Sequence, residues 1–460
     1  MYLFKFACNG LINYPQEFQR MASFHVSSYS MASIMVLALI ASFAPPAVST
    51  SRLMGRSDLK NGFEVTLKRV DSGGNFTKFE LLKRAMGRGR KRVERIHAMV
   101  LAAVDVGVEA PIHSGNGEFL MELSIGTPPV SYHAIIDTGS DLIWTQCKTC
   151  TRCFDQPSPL FDPEKSSSFS KLPCSSNLCT ALPMSSCSDR NCEYLYTYGD
   201  TSSTQGFMAT ETFSFDNVSV PNIGFGCGLD NEGGGFNQGA GLVGLGRGPL
   251  SLVSQLDEPK FSYCLTSIES TKISKLLMGS LASDIELSRD TKTTPLIKNP
   301  SSPSFYYLSL KGISVGDTLV PIKSSTFAIK KDGTGGVIID SGTTITYLEK
   351  QAFELVKNEF VSQSKYPVVE ASDNTQLDLC FTIPSNSQEI EVPTLVFHFE
   401  GADLELPGDN YFIADSSGIM CLAMGSSHGL SILGNYQQQN FLVVHDLVKE
   451  TMSFVPKQCG

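Results

Sequence analysis

Between residues 116 and 145 apolar and polar positions alternate, with Phe119, Met121, Leu123 and Ile125 on one face, before an apolar run at His133–Asp137. A period of two predicts a half-buried strand, and a short apolar run predicts a strand covered on both faces. Strand-like stretches recur at Ser219–Phe225, Phe305–Ser314, Gly336–Asp340, Thr394–Phe399, Met420–Met424 and Phe441–Val444. Gly, Pro, Asn or Asp punctuates many of them. Beyond the first hundred residues a helical period is rare. It is clear in Gln351–Ser364, where Phe353, Val356, Phe360 and Val361 share a face, and a second short helix is predicted to begin in Pro249–Leu256. The pattern predicts a mainly β protein with a few short helices.

Composition narrows the class. The chain has 460 residues, 42% of them hydrophobic and 18% charged, enough to fill a large core and too apolar for wholesale disorder. A net charge of −10 argues against a nucleic-acid binder, which needs a basic face. The charge is unevenly spread. Residues 51–112 carry 13 Lys/Arg against 7 Asp/Glu, a net of +6, whereas residues 113–460 carry a net of −17. Such a basic segment reads either as a solvated tail or as a propeptide that docks on the acidic body, and charge alone does not choose.

Residues 1–50 read as a signal peptide. The apolar run from Ile34 to Ala44, followed by Pro45-Pro46 and small residues through Thr50, falls short of the roughly 20 residues that span a bilayer. Cleavage is expected near Ser49. Only Lys5 and Arg20 make up the basic region, and a start at Met21 or Met31 would give a more ordinary leader. No later stretch reads as a membrane span, and Phe454–Gly460 carries no anchor signal. A soluble, exported protein is expected, with an extracellular or vacuolar destination left open.

Of 13 cysteines, Cys8 lies in the leader, and seven of the rest crowd between Cys147 and Cys192. Cys147-x2-Cys150-x2-Cys153 in isolation has zinc-ligand spacing, but export favours disulfides. The crowded segment, with Pro157, Pro159, Pro163 and Pro173, is loop-like and needs cross-links to fix its shape.

An internal repeat carries the candidate chemistry. Ala134-Ile135-Ile136-Asp137-Thr138-Gly139-Ser140 recurs as Val337-Ile338-Ile339-Asp340-Ser341-Gly342-Thr343, and each copy is followed by an apolar pair and Gly: Leu242-Val243-Gly244 and Ile432-Leu433-Gly434. Each apolar strand delivers one carboxylate to a tight turn where Gly relieves crowding and Ser or Thr bonds locally. Two similar halves, each supplying one Asp, make a two-lobed body with a cleft between. Asp71-Ser72-Gly73 matches the tripeptide too, but it follows Lys68-Arg69-Val70 and reads as a turn without chemistry.

These residues, with Trp144, Tyr198-Gly199, Gly126-Thr127-Pro128-Pro129, Phe225-Gly226-Cys227-Gly228 and Gly434–Gln439, resemble the pepsin-like aspartic proteases, and among them the nepenthesin-type plant enzymes. The similarity runs from about Gly115 to Cys459. It implies a bilobal fold with lobes at 113–290 and 291–460, a Cys-rich insertion at 147–192 and a basic propeptide at 51–112. It also implies Asp137 and Asp340 as a catalytic dyad that activates water, with no metal and no cofactor. Ser140 and Thr343 would bond the outer carboxylate oxygens, Thr138 and Ser341 would lock the two turns, and Gly139 and Gly342 complete them. Tyr198 and Gly199 would tip a mobile flap, with the Trp144 indole near the Tyr198 hydroxyl, while Tyr194 and Tyr196 serve as packing or surface aromatics. The implied disulfides are Cys147–Cys150, Cys153–Cys227, Cys174–Cys192, Cys179–Cys187, Cys264–Cys459 and Cys380–Cys421. Glycan acceptors are Asn217 and, in the leader, Asn75.

The scattered histidines His113, His133, His398, His428 and His445 form no triad or metal spacing, and Gly244-x-Gly246-x-Gly248 reads as a structural loop. Two functions of different classes remain: an acid endopeptidase made as a zymogen, and a catalytically dead relative that binds another protein. Both Asp turns are intact, which favours the enzyme. Its expected partners are protein and peptide substrates with large apolar residues flanking the scissile bond, pepstatin-type inhibitors and its own propeptide, on a monomer without nucleic acid or membrane anchor. A Lys or Arg from residues 83–95 is expected to block the acidic cleft until acid releases it, with a cut between Arg95 and Gly117.

Overall fold

Phe63–Arg69 (β1) buries every second side chain and is followed by a turn at Asp71, which pairs with Arg88 at 2.6 Å. The helix Lys78–Ala102 (α1) starts at a reciprocal cap: Glu80 Oε2 accepts the Thr77 N–H at 2.8 Å and Thr77 Oγ1 accepts the Glu80 N–H at 3.2 Å. Leu82, Ala85, Met86, Val93, Ile96 and Val100 form its buried stripe. This 25-residue helix is not among the elements read from the sequence. The computed structural model describes residues 52–53, 62–102, 119–198, 202–233, 236, 239–282, 290–369, 376–384, 390–414 and 418–460. The expected signal peptide, Gly199 and the stretch 103–117 of the expected cleavage region lie outside the described residues.

The body is mainly β. Phe119–Ile125 (β2) and Val130–Asp137 (β3) form a hairpin, and β3 turns into Trp144–Gln146 (β4). Asn191–Thr197 (β5), Ser203–Phe215 (β6) and Val218–Glu232 (β7) follow as an antiparallel meander. Gly241–Gly244 (β8) then lies parallel to β3, pairing Leu242 with Ile135 and Gly244 with Asp137. Lys260–Cys264 (β9) and Ser274–Met278 (β10) complete the first half.

The second half repeats the device. Tyr306–Leu308 (β11) pairs with Val337–Ile339 (β12), which ends at Asp340. Thr346–Glu349 (β13) leads into the helix Lys350–Gln363 (α2), whose Ala352, Phe353, Val356 and Phe360 are buried. Ser431–Leu433 (β14) runs parallel to β12 as β8 does to β3. Phe441–Asp446 (β15) pairs with β9 and with Thr451–Pro456 (β16), joining the halves in one sheet. At the far side of that sheet, β1 sits between β10 and β2 and bonds to both. The two-lobed, mainly β architecture thus follows from the repeat, with α2 at the predicted place. The helix expected to begin in Pro249–Leu256 is a single 3-10 turn, Val253–Gln255.

Four expected disulfides are corrected. Cys147 pairs with Cys227, not Cys150, and Cys150 pairs with Cys153, not Cys227. The parallel register of β4 on β7, Thr145 against Cys227, brings Cys147 beside Cys227 with the Cα atoms 5.4 Å apart. Likewise Cys174–Cys192 and Cys179–Cys187 give way to Cys174–Cys187 and Cys179–Cys192. Burial sorts them, since Cys179 and Cys192 share an inner cluster while Cys174 and Cys187 lie further out. Cys264–Cys459 and Cys380–Cys421 are also bonded.

Candidate active site

β3 and β12 each end in a carboxylate at the floor of the same site, and both Asp137 and Asp340 are 1% exposed. Burying an acid is costly unless hydrogen bonds replace water. Ser140 Oγ donates to Asp137 Oδ2 and Thr343 Oγ1 donates to Asp340 Oδ2, each at 2.6 Å. The Gly139 and Gly342 amides donate to the other oxygens at 2.8 and 3.3 Å. Thr138 Oγ1 crosses to Asp340 Oδ1 at 2.9 Å and accepts the Ser341 N–H at 3.1 Å, tying the two turns. Asn435 and Gln438, after β14, bond the Ser341 and Asp340 carbonyls from behind.

A cation from α1 completes the site. The Arg92 guanidinium is 2% exposed, and its Nη2 donates to both Asp137 Oδ1 and Asp340 Oδ1, the latter at 2.6 Å. Its Nε donates to Asp340 Oδ2. Burial would raise the Asp340 carboxyl, but the charge and hydrogen bonds of Arg92, aided by Thr343, hold it below the usual carboxylate range. Burial disfavours the Arg92 charge, and the two carboxylates overcome that, so the guanidinium stays protonated. Close approach needs glycine on both sides. A Cβ on Gly342 would collide with the guanidinium, and one on Gly89 would lie 2.8 Å from Thr344 Oγ1. Thr344 donates to the Ala85 carbonyl at 2.7 Å, so α1 is pinned beside the second turn.

Beyond the dyad, Trp144 Nε1 donates to the Tyr198 hydroxyl at 2.8 Å, and Phe236 packs edge-on to both rings. Tyr198 follows β5 and is buried, as are Tyr194 and Tyr196. Among the described residues no group of three or more His, Cys, Asp or Glu is placed to hold a metal ion, and no helix is long and apolar enough to cross a membrane. The sequence reading did not single out Arg92 within 83–95, nor Gly89, nor Asp141. The buried stripe of α1 was the available signal for the first two, since Gly89 and Arg92 fall between Met86 and Val93 on the same helix.

Two buried aspartates on mirrored Asp-Thr/Ser-Gly-Ser/Thr turns, joined across a two-lobed β fold, define the aspartic-peptidase class. The Xylanase inhibitor N-terminal family matches residues 119–280 and the Xylanase inhibitor C-terminal family residues 305–456. Aspartic proteinase nepenthesin-1 of Nepenthes gracilis is 53% identical, over 93% of this chain and 98% of that protein. Nepenthesin-2 of the same plant is 49% identical over the same shares, and Aspartyl protease family protein 2 of Arabidopsis thaliana is 40% identical over 91% of each chain. The chain belongs to the nepenthesin-type plant aspartic proteases and is an aspartic-type endopeptidase. Among solved structures, that of edgp shares the fold, with a TM-score of 0.62 at 20% identity over 86% of this chain and 95% of that one. Basic 7S globulin from soybean gives 0.58 at 20%, over 75% and 94%.

Proposed function

We propose that the chain is the zymogen of an acid endopeptidase in which Asp137 and Asp340 activate the hydrolytic water and residues 51–112 are a propeptide that silences them. The observation that carries the proposal is the Arg92 guanidinium between two mirrored, buried carboxylates. Two carboxylates this close share one proton, so their titrations belong to the pair. With the propeptide gone, the ionised member takes a proton from water as it attacks the peptide carbonyl, and the protonated partner donates to the carbonyl oxygen. The pair then passes a proton to the leaving nitrogen. No covalent intermediate is required, and no cofactor enters the scheme. Tyr198 serves as a flap residue that excludes other water, with Trp144 as its anchor.

The stripe of α1 packs on Phe305, Tyr307, Ile338, Ile345 and Tyr347, and this apolar wall supports a preference for large apolar side chains beside the scissile bond. Export to the extracellular space or vacuole accords with six disulfides and with exposed Asn217 and Asn75 in glycan-acceptor triplets. Acid-processed protein should digest a denatured protein near pH 3–4 and be stopped by pepstatin, while Asp137→Asn should be inert. Correctly processed wild type without activity would end the proposal and leave a binding protein in its place.

A further inference from the structure

Asp141 stands one residue beyond the first catalytic turn, buried at 8% exposure, and the chemistry above does not use it. Its Oδ1 accepts the Gly248 N–H at 2.9 Å and its Oδ2 accepts the Ser304 hydroxyl at 2.5 Å. The loop around it is Gly244-x-Gly246-x-Gly248. A Cβ on Gly244 would strike the Asp141 backbone, one on Gly246 would strike Oδ1, and one on Gly248 would strike Oδ2. None of the three has a positive φ, so glycine is required here for space and not for conformation.

This loop is bonded on both sides. The Leu245 and Gly246 amides donate to the Asp137 and Ser140 carbonyls at 2.8 and 2.9 Å. The Arg247 amide donates to the Ser304 carbonyl at 3.1 Å, and the Tyr306 hydroxyl donates to the Leu245 carbonyl at 2.6 Å. Ser304 in turn precedes Phe305, whose ring lies 3.6 Å from where a Cβ on Gly139 would stand. In the second half Thr344 occupies the equivalent place, and Gly434 is followed by Asn435 and Tyr436, so the cradle is built once.

We propose that Asp141 is a positioning residue: seated in the glycine loop, its carboxyl ties the Asp137 turn to Ser304 of the second half and so fixes Asp137 relative to Asp340. The proposal rests on the peptidase reading. Burial raises the Asp141 carboxyl against the pull of its two hydrogen bonds, with Asp137 adding to the rise. A neutral acid at working pH would keep both bonds without bringing a third full charge to the dyad.

The test uses processed enzyme with active sites titrated by pepstatin, a synthetic peptide substrate at one acid pH, and amide exchange read across residues 245–248. Asp141→Ala should lower kcat on the order of 10-fold or more with KM within about 2-fold, the mark of misplacement rather than lost binding. Asp141→Asn should recover most of that loss, because its oxygen accepts from Gly248 and its amide donates to Ser304. Ser304→Ala removes one arm and should give a smaller loss, and the double variant with Asp141→Ala should be no worse than Asp141→Ala alone. The Gly248 amide should exchange faster in Asp141→Ala and stay protected in Asp141→Asn.

Undiminished kcat in Asp141→Ala, a change in KM alone, or additive losses would overturn the tether. Should Asp141→Ala fail to fold, Ser304→Ala at full kcat overturns it equally. Wild type that does not cleave would sink the peptidase reading instead, and the exchange arm, which needs no turnover, would still decide whether the tether exists.

Discussion

Arg92 offers its donors on a planar fork to two carboxylates at once, a match that the point charge of lysine does not reproduce. Removing it leaves two buried acids facing each other, and breaking a buried ion pair typically costs about 3–5 kcal/mol. Arg92→Ala precursor should therefore mature several-fold faster than wild type at pH 4–5, and Arg92→Lys should fall between, as read by N-terminal sequencing over time. Equal rates for all three would show that Arg92 contributes nothing to latency. His445 poses a separate residue-scale case. It lies buried against Phe261, with ring centroids 4.1 Å apart, and burial pushes its pKa down to about 3. The unfolded chain takes up this proton near pH 6.5 while the fold refuses it, so stability is lost as pH falls from about 6.5 to 3 and levels off below. The penalty is on the order of 5 kcal/mol at the acid end. His445→Leu should shrink the drop in Tm between pH 7 and pH 3, and an unchanged drop would refute the assignment.

At the scale of elements, α1 holds Arg92 in place by its cap, its stripe and one close contact. Glycine inside a helix costs about 1 kcal/mol relative to alanine, so Gly89 has to answer to packing. Its contact with Thr344 supplies the reason. Gly89→Val should unseat α1 from the second turn while leaving the body's strands untouched. The expected result is a folded precursor with pepstatin-inhibitable activity before any acid treatment. A latent Gly89→Val precursor with normal maturation would contradict it. α2, by contrast, has a stripe undiluted by basic residues, and it is the helix that periodicity found.

The whole molecule carries the pH logic. Arg92 holds the Asp340 carboxyl below its usual range, so in the proposed zymogen the grip it contributes is complete above the ordinary carboxylate range near pH 4 and is lost as pH falls through the depressed value. Precursor should be stable near pH 7 and lose roughly its first 110 residues below about pH 4. Incubation across pH with sequencing of the new N-terminus checks this, and conversion at equal speed at pH 7 would refute it. The cross-links belong to the same scale. Non-reducing peptide maps should recover Cys147 with Cys227 and Cys179 with Cys192, and recovery of Cys153 with Cys227 would overturn the register of β4 on β7.

The sequence by itself determined the repeat. Two apolar strands ending in Asp-Thr-Gly-Ser and Asp-Ser-Gly-Thr, each with a later apolar-Gly strand, were legible because strand burial and turn chemistry are local properties written in adjacent residues. Trp144 and Tyr198 were reachable only through resemblance, since 54 residues separate the indole from the hydroxyl it meets. Tertiary structure alone decided the rest. Which cysteines meet depends on strand register and on which face is buried, and neither is readable from spacing. The long helix was masked because Gly89 and Arg92 stand between Met86 and Val93 in its apolar stripe, and only the two carboxylates of the site give Arg92 a buried partner. Arg92 became distinct from its basic neighbours, and Asp141 from an ordinary loop acid, only when chain segments more than 40 and more than 100 residues away closed around them, because desolvation and pairing act through space and not along the chain.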